Sequence, residues 1–191
     1  MCWGGVLFGH ILASISKTDL KSKGSGNPGA TNVFRVIGPI AGVLVLLGDV
    51  FKGIAAVKLG EWISGQPVYL PLYGLAAIIG HNWSVFHRFK GGKGIATTLG
   101  TVIILCPHAL WIILPLFIIA TIASSFVSFG SIMAAISFPF GIMILYPRQH
   151  YLLIYAVAAT IMAIYRHIPN IRRILRGEEH KLFSMFPRKE K

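Results

Sequence analysis

Residues 94–126 run for 33 positions without Asp, Glu, Lys or Arg. As one helix this stretch would be about 50 Å long, well beyond the ~30 Å hydrocarbon core of a bilayer. Pro107 sits near its middle. Proline removes a backbone donor and disfavours helix just before it, so the run reads as two helices, 94–106 and 108–126. Further apolar stretches cover 36–59, 68–83, 129–146 and 151–166, with a shorter one over 1–16. A soluble domain of this length would be about 25% charged. This chain is 13% charged and 54% hydrophobic, so it has too little polar surface to cover a globule in water. The expected fold is all-α: a single polytopic membrane domain over 1–191 with seven transmembrane helices, the first of them short.

The net charge of +12 would suit nucleic acid or anionic lipid, and its distribution decides between them. No soluble domain is present to carry a basic face, which argues against nucleic acid. With seven spans, the segments 17–35, 84–93, 127–128 and 166–191 fall on one side and hold 15 of the 18 Lys and Arg residues. The positive-inside rule then places the N-terminus outside and the C-terminal tail in the cytoplasm. Residues 1–16 have no charged leading segment and no clear cleavage site, so they are not read as a signal peptide. Cys2 and Cys106 lie in apolar surroundings and read as small buried hydrophobes.

Three polar segments interrupt the apolar pattern. The first runs from Gly24 through Ser25, Gly26, Asn27, Pro28, Gly29, Ala30, Thr31, Asn32, Val33 and Phe34 to Arg35. Its glycines let the backbone turn and expose N–H groups. Ser25, Asn27, Thr31 and Asn32 add small donors, and Arg35 adds a planar fork suited to phosphate. A loop needing only to turn would not be so dense in donors. The second runs from Gly80 to Thr98. There Gly91-Gly92-Lys93-Gly94 opens a helix, whose free N–H groups and dipole favour an anion. Lys93 supplies a positive charge, but no Walker A spacing is present. His81 and His87 are secondary site candidates that read first as interfacial packing, as do Trp83, Phe86 and Phe89. The third runs from His167 to Glu179. His167 and Asn170 stand three residues apart at the end of the last span, where a helical turn aims both at one spot. From Arg166 onward the chain reads as a basic amphipathic tail. Asp49 and Lys52 fall within a predicted span and read as a structural ion pair.

These segments resemble the signatures of the bacterial acyl-phosphate:glycerol-3-phosphate acyltransferase family (PlsY). Gly24 to Arg35 is similar to G-S-G-N-x-G-A-T-N-x-x-R, and Gly80 to Thr97 to G-H-x-x-x-x-F-x-x-F-x-G-G-K-G-x-A-T. His167 to Glu179 is similar to H-x-x-N-I-x-R-L-x-x-G-x-E, with Ile174 in place of leucine. Asp49, Lys52 and Gly53 match a D-x-x-K-G. Family members usually begin with a fuller first helix than this chain has.

The resemblance implies acyl transfer from acyl phosphate to the 1-hydroxyl of glycerol 3-phosphate in the bacterial cytoplasmic (inner) membrane. It implies neither cofactor, metal nor thioester donor, and no obligate protein partner is inferred; membrane lipid is the surrounding partner. Carried over by motif, His167, Asn170, Ser25 and Lys93 are the expected catalytic residues. Gly24, Gly26, Asn27, Thr31, Asn32, Arg35, Gly91 and Gly92 are the expected phosphate- and substrate-binding ones. Who takes the hydroxyl proton stays open between His167 and a substrate phosphate. Glu178 and Glu179 stand eleven and twelve residues from His167, too remote in sequence to be read as members of a Ser25 triad. No H-x-x-x-x-D follows any of the seven histidines. The competing expectation is a small transporter or channel for phosphorylated anions, which would need polar residues along a path through the spans. A lipid-binding scaffold would leave the first motif unexplained.

Overall fold

The computed structural model describes residues 3–182. Their ordered elements are all helical. In chain order they are α1 (Phe8–Ile15), α2 (Ala30–Val36), α3 (Pro39–Ser64), α4 (Leu70–Asn82), α5 (Ile95–Leu105), α6 (Leu110–Ser124), α7 (Val127–Leu145) and α8 (His150–Leu175). The break expected at Pro107 is present: α5 ends at Leu105, and a short 3-10 turn, Pro107–Ala109, leads into α6. Cys106, at the break, is fully buried in the core. Cys2 and the tail beyond residue 182 lie outside the described residues.

Among the described residues, four helices are long and apolar enough to cross a membrane: Pro39–Ser64, Pro107–Ser124, Val127–Leu145 and His150–Leu175. The other apolar helices are shorter, α1 with 8 residues, α4 with 13 and α5 with 11. Two expectations need correction. The segment 17–35 is not all loop, because its last third forms α2. The chain after Arg166 is not yet tail either. α8 continues through Pro169 to Leu175, so the third motif is mostly helical.

Along the chain, α3 packs on α5, α4 and α2, while α7 bridges α6 and α8. α3 and α5 approach closely through small residues, as membrane helices do. A Cβ on Gly53 would lie 2.2 Å from the Thr97 carbonyl oxygen, and one on Gly100 would lie 2.0 Å from that of Val50. The main core gathers Ile78, Val102, Phe138, Ile142, Leu152 and Tyr155, with Tyr155 sharing a hydrogen bond with Thr101. Large apolar side chains such as Trp111, Ile122, Phe140 and Ile154 face outward. In water such a surface would drive association; in lipid it costs nothing.

Candidate active site

A cavity of about 500 Å³ opens between α2, α3, α5, α6, α7 and α8 and brings the three polar segments together. Ser25, Asn27, Thr31, Asn32 and Arg35 line it from the first, Lys93 and Gly94 from the second, and His167, Asn170 and Glu179 from the third. Along α8 the lining passes from Asn170 and His167 to Ala163, Thr160 and Ala159, and along α5 from Lys93 to Leu99 and Val102. The cavity is thus polar at one end and mostly apolar beyond it for about 12 Å of helix rise.

The first segment owes its shape to Asn32. Its Oδ1 accepts the Ser25 N–H at 2.8 Å, and its Nδ2 donates to the Lys23 carbonyl at 3.3 Å. Asn27 Oδ1 likewise accepts the Gly29 N–H at 2.8 Å. These contacts hold the loop, and both residues also line the cavity. Gly24 and Gly26 turn the chain with φ of +60° and +69°, and neither lines the cavity. A side chain at Gly24 would also strike Asn32 Oδ1, 2.2 Å from its Cβ. Ser25, Thr31, Arg35 and the Nδ2 of Asn27, which the loop bond to Gly29 does not use, remain as donors at the cavity. Arg35 Nε is buried with no hydrogen-bond partner among the described residues, so it is a donor waiting for an acceptor.

Gly91 and Gly92 do not line the cavity; they form the base of its Lys93 wall. A Cβ on Gly91 would sit 1.9 Å from the His81 carbonyl oxygen, and one on Gly92 would sit 2.0 Å from His81 Nε2. The Gly92 N–H donates to the His81 carbonyl at 3.1 Å. This places His81 in the interior and not at the interface. Its Nδ1 lies 2.7 Å from Lys52 Nζ and 3.5 Å from Asp49 Oδ1. The Asp49–Lys52 ion pair expected from the spacing is present at 2.8 Å, and Lys52 also donates to the Val6 carbonyl. His87, by contrast, stacks on His10 with ring centroids 4.3 Å apart, and Phe86 and Phe89 are exposed as anticipated.

On α8 the His167 Nδ1 lies 2.7 Å from the Ala163 carbonyl. A carbonyl only accepts, so Nδ1 carries the hydrogen and the neutral ring keeps Nε2 as an acceptor. Asn170 Nδ2 donates to Glu179 Oε1 at 2.7 Å. A carboxylate also only accepts, so the amide orientation is fixed, leaving Asn170 Oδ1 buried and without a partner among the described residues. Glu179 further accepts from Arg173 Nε at 2.7 Å and from Ser128 on α7 at 2.8 Å. Burial alone would raise its carboxyl pKa, but these hydrogen bonds outweigh burial and hold it below the ordinary value. Lys93 moves the opposite way. Burial lowers its ammonium to about 8; Glu179 opposes this, and Arg173, Arg166 and Arg35 add repulsion.

Sequence distance hid Glu179, which joins the site although it lies twelve residues past His167. Gly177, with φ +71°, ends α8. The Glu178 N–H bonds back to the Arg173 carbonyl and the Gly177 N–H to that of Ile174, the paired bonds of a Schellman cap. The cap reverses the chain onto the helix. A glycine following a basic helical end was the available signal.

Comparison with known proteins shows the family of the chain. The family model described as glycerol-3-phosphate acyltransferase matches residues 2–177. The glycerol-3-phosphate acyltransferase 2 of Moorella thermoacetica is 46% identical over 164 residues, 86% of this chain and 84% of that protein. A crystal structure of PlsY (YgiH), an integral membrane glycerol 3-phosphate acyltransferase in its glycerol 3-phosphate form, superposes with a TM-score of 0.89 at 35% identity, covering 97% of this chain and 94% of that one. Its lysophosphatidic acid form gives 0.86 at 34% identity, with 96% and 93% covered. The chain is a member of the glycerol-3-phosphate acyltransferase family.

Proposed function

We propose that the protein transfers the acyl group of an acyl phosphate to the 1-hydroxyl of glycerol 3-phosphate, yielding 1-acylglycerol 3-phosphate (lysophosphatidate) and phosphate. The observation that carries this is the two-part cavity. Among the described residues, its polar end offers a buried unpartnered donor, Arg35 Nε, and a buried unpartnered acceptor, Asn170 Oδ1, beside Lys93 and His167. Such a set fits a phosphate and a hydroxyl, and the apolar extension past Leu99, Val102 and Phe138 fits an acyl chain. The relatives' names and structures favour the same reading over a transporter.

An acyl phosphate is already activated, so the protein's work is to position two phosphates and stabilise developing charge. The hydroxyl oxygen forms the new ester bond to the carbonyl carbon. The bond from that carbon to the phosphate oxygen breaks, and phosphate leaves with the electron pair. Arg35 and Lys93 neutralise the phosphates, Ser25 and Thr31 donate to them, and Asn170 Oδ1 accepts from the attacking hydroxyl. The proton passes to a phosphate oxygen, whose second pKa near 6 suits the task, or to His167 Nε2. Ser25 forms no acyl-enzyme in this scheme, because His167 Nδ1 is held by a backbone carbonyl and not by a carboxylate.

In this reading α1, α3, α4, α5, α6, α7 and α8 are seven spans of one domain in the bacterial cytoplasmic membrane, with the N-terminus outside and the tail in the cytoplasm. Support comes from the three basic segments meeting at one cavity, with Ser128 in the first turn of α7 bonded to Glu179. The deciding experiment gives purified protein glycerol 3-phosphate with either acyl phosphate or acyl-CoA. Phosphate and lysophosphatidate released in equal amounts from acyl phosphate alone are expected; turnover with acyl-CoA alone would sink the donor assignment. Cysteines at Ser22, Lys90 and Lys181 should all label from the cytoplasm, and labelling of any one from outside would overturn the topology.

A further inference from the structure

Arg166 lies one residue before His167 on α8 and does not line the cavity. Its Nη2 donates to the Gly91 carbonyl at 2.7 Å and its Nε to the Gly92 carbonyl at 2.9 Å. Its guanidinium sits 5.9 Å from the centroid of the Trp83 ring. Among the described residues it forms no ion pair, so its fork is spent on two adjacent carbonyls of the segment that leads into Lys93. In a trans peptide the N–H points opposite to the preceding carbonyl. With the Gly91 carbonyl on Arg166, the Gly92 N–H must point away, and it meets the His81 carbonyl. The Gly92 carbonyl fixes the Lys93 N–H in the same manner. The two glycines are therefore held from both sides, by His81 of α4 and by Arg166 of α8, with no room for a side chain against His81.

We infer that Arg166 is a positioning residue: by forking onto the Gly91 and Gly92 carbonyls, it sets Lys93 against the helix that carries His167 and Asn170. This rests on the acyl-transfer reading above. α8 is a continuous helix through this point, so Arg166 and His167 move together. Through the Arg166 fork, the Lys93 segment is indexed to the helix presenting His167 and Asn170. A lysine at 166 would keep the charge but lose the planar two-donor geometry.

The test uses the full chain in detergent, with Arg166→Gln and Arg166→Lys compared with wild type in amide hydrogen exchange and in kinetics. Exchange of the Gly92 and Lys93 amides should rise at least about tenfold in Arg166→Gln, with protection in the middle of α3 and α7 unchanged. kcat/KM should fall about 10- to 100-fold in Arg166→Gln and by a smaller factor in Arg166→Lys. The decisive comparison adds Arg166→Gln to Lys93→Arg, a variant that keeps a cation and hence measurable turnover. If Arg166 acts through Lys93, the second substitution adds less than about threefold. Losses that multiply in full, or unchanged exchange at Gly92 and Lys93, would overturn the inference. Should wild type itself transfer no acyl group, the functional reading fails, and the exchange measurement still decides whether the fork holds the segment.

Discussion

Lys93 should impose an alkaline limit on activity that its model-peptide chemistry would place far higher. Burial strips water from its ammonium and lowers the pKa to about 8. A lowered lysine pKa means the charged form is lost sooner as pH rises. About nine-tenths of Lys93 is charged at pH 7 and about one-tenth at pH 9. If charged Lys93 is needed to bind a phosphate, kcat/KM should fall roughly tenfold over that interval. The substrate does not supply this limb, since a phosphate monoester loses its second proton near pH 6 and stays dianionic above. Two variants sharpen the assignment. Lys93→Arg keeps its charge throughout, so its profile should be lower overall but flat from pH 7 to 9. Glu179→Gln removes the one carboxylate that raises the Lys93 pKa, so its limb should move to lower pH. The assay is initial-rate phosphate release against pH at several glycerol 3-phosphate concentrations. Because a bound anion stabilises the ammonium, the limb in kcat should lie above that in kcat/KM. A flat wild-type profile, or an unchanged limb in Lys93→Arg, would refute the reasoning.

Three further outcomes follow from the same geometry. Arg35→Ala should cost roughly 10- to 150-fold in kcat/KM, the worth of one charge-assisted hydrogen bond of about 1.5–3 kcal/mol, and wild-type kinetics at normal expression would remove Arg35 from the site. No acyl group should be trapped on Ser25 when the reaction is quenched without acceptor, and mass spectrometry of that peptide reads the answer directly. Lys52→Ala should destabilise by about 3–5 kcal/mol by leaving Asp49 unpaired in the interior, lowering Tm by about 10 °C, whereas Lys52→Met combined with Asp49→Asn should cost clearly less; equal losses would show that the pair itself is not the cause.

What could be read in the sequence was whatever depends on local periodicity and local turn chemistry. The apolar runs became helices at nearly the expected positions, and the Pro107 break fell where expected, because both follow from spacing along one chain. Ser25, Arg35, Lys93, His167 and Asn170 could be picked out because glycine-dense donors and paired polar residues at the end of an apolar run have few other uses. The misses share a physical origin. The loop-holding role of Asn27 and Asn32 was not legible: a loop this rich in glycine has to be held, and their side-chain oxygens bond its own backbone. Glu179 is brought in by a capping turn and a partner, Ser128, 51 residues away. His81 and Arg166 act on backbone carbonyls and N–H groups, and such contacts leave no mark in residue spacing.

The buried charges of α3 take on a meaning from these contacts that the ion pair alone would not have. An isolated Asp–Lys pair inside a membrane-spanning helix returns little net stability, since desolvation offsets its attraction. Here Lys52 reaches both the Val6 carbonyl and His81 Nδ1, and the backbone and ring of His81 are what Gly91 and Gly92 rest against. The pair therefore fixes the rotamer of one histidine, that histidine backs the two glycines, and the glycines carry Lys93. Arg166 closes the arrangement from the other side. If so, conservative changes in α3 should be felt at the cavity before they are felt in stability. Asp49→Asn combined with Lys52→Met leaves no buried charge unpaired but releases the hold on His81. It should loosen exchange at the Gly92 amide and lower kcat/KM by several-fold at a Tm within a few degrees of wild type. A fall in Tm with unchanged exchange at Gly92 would mean that the α3 charges serve helix packing alone.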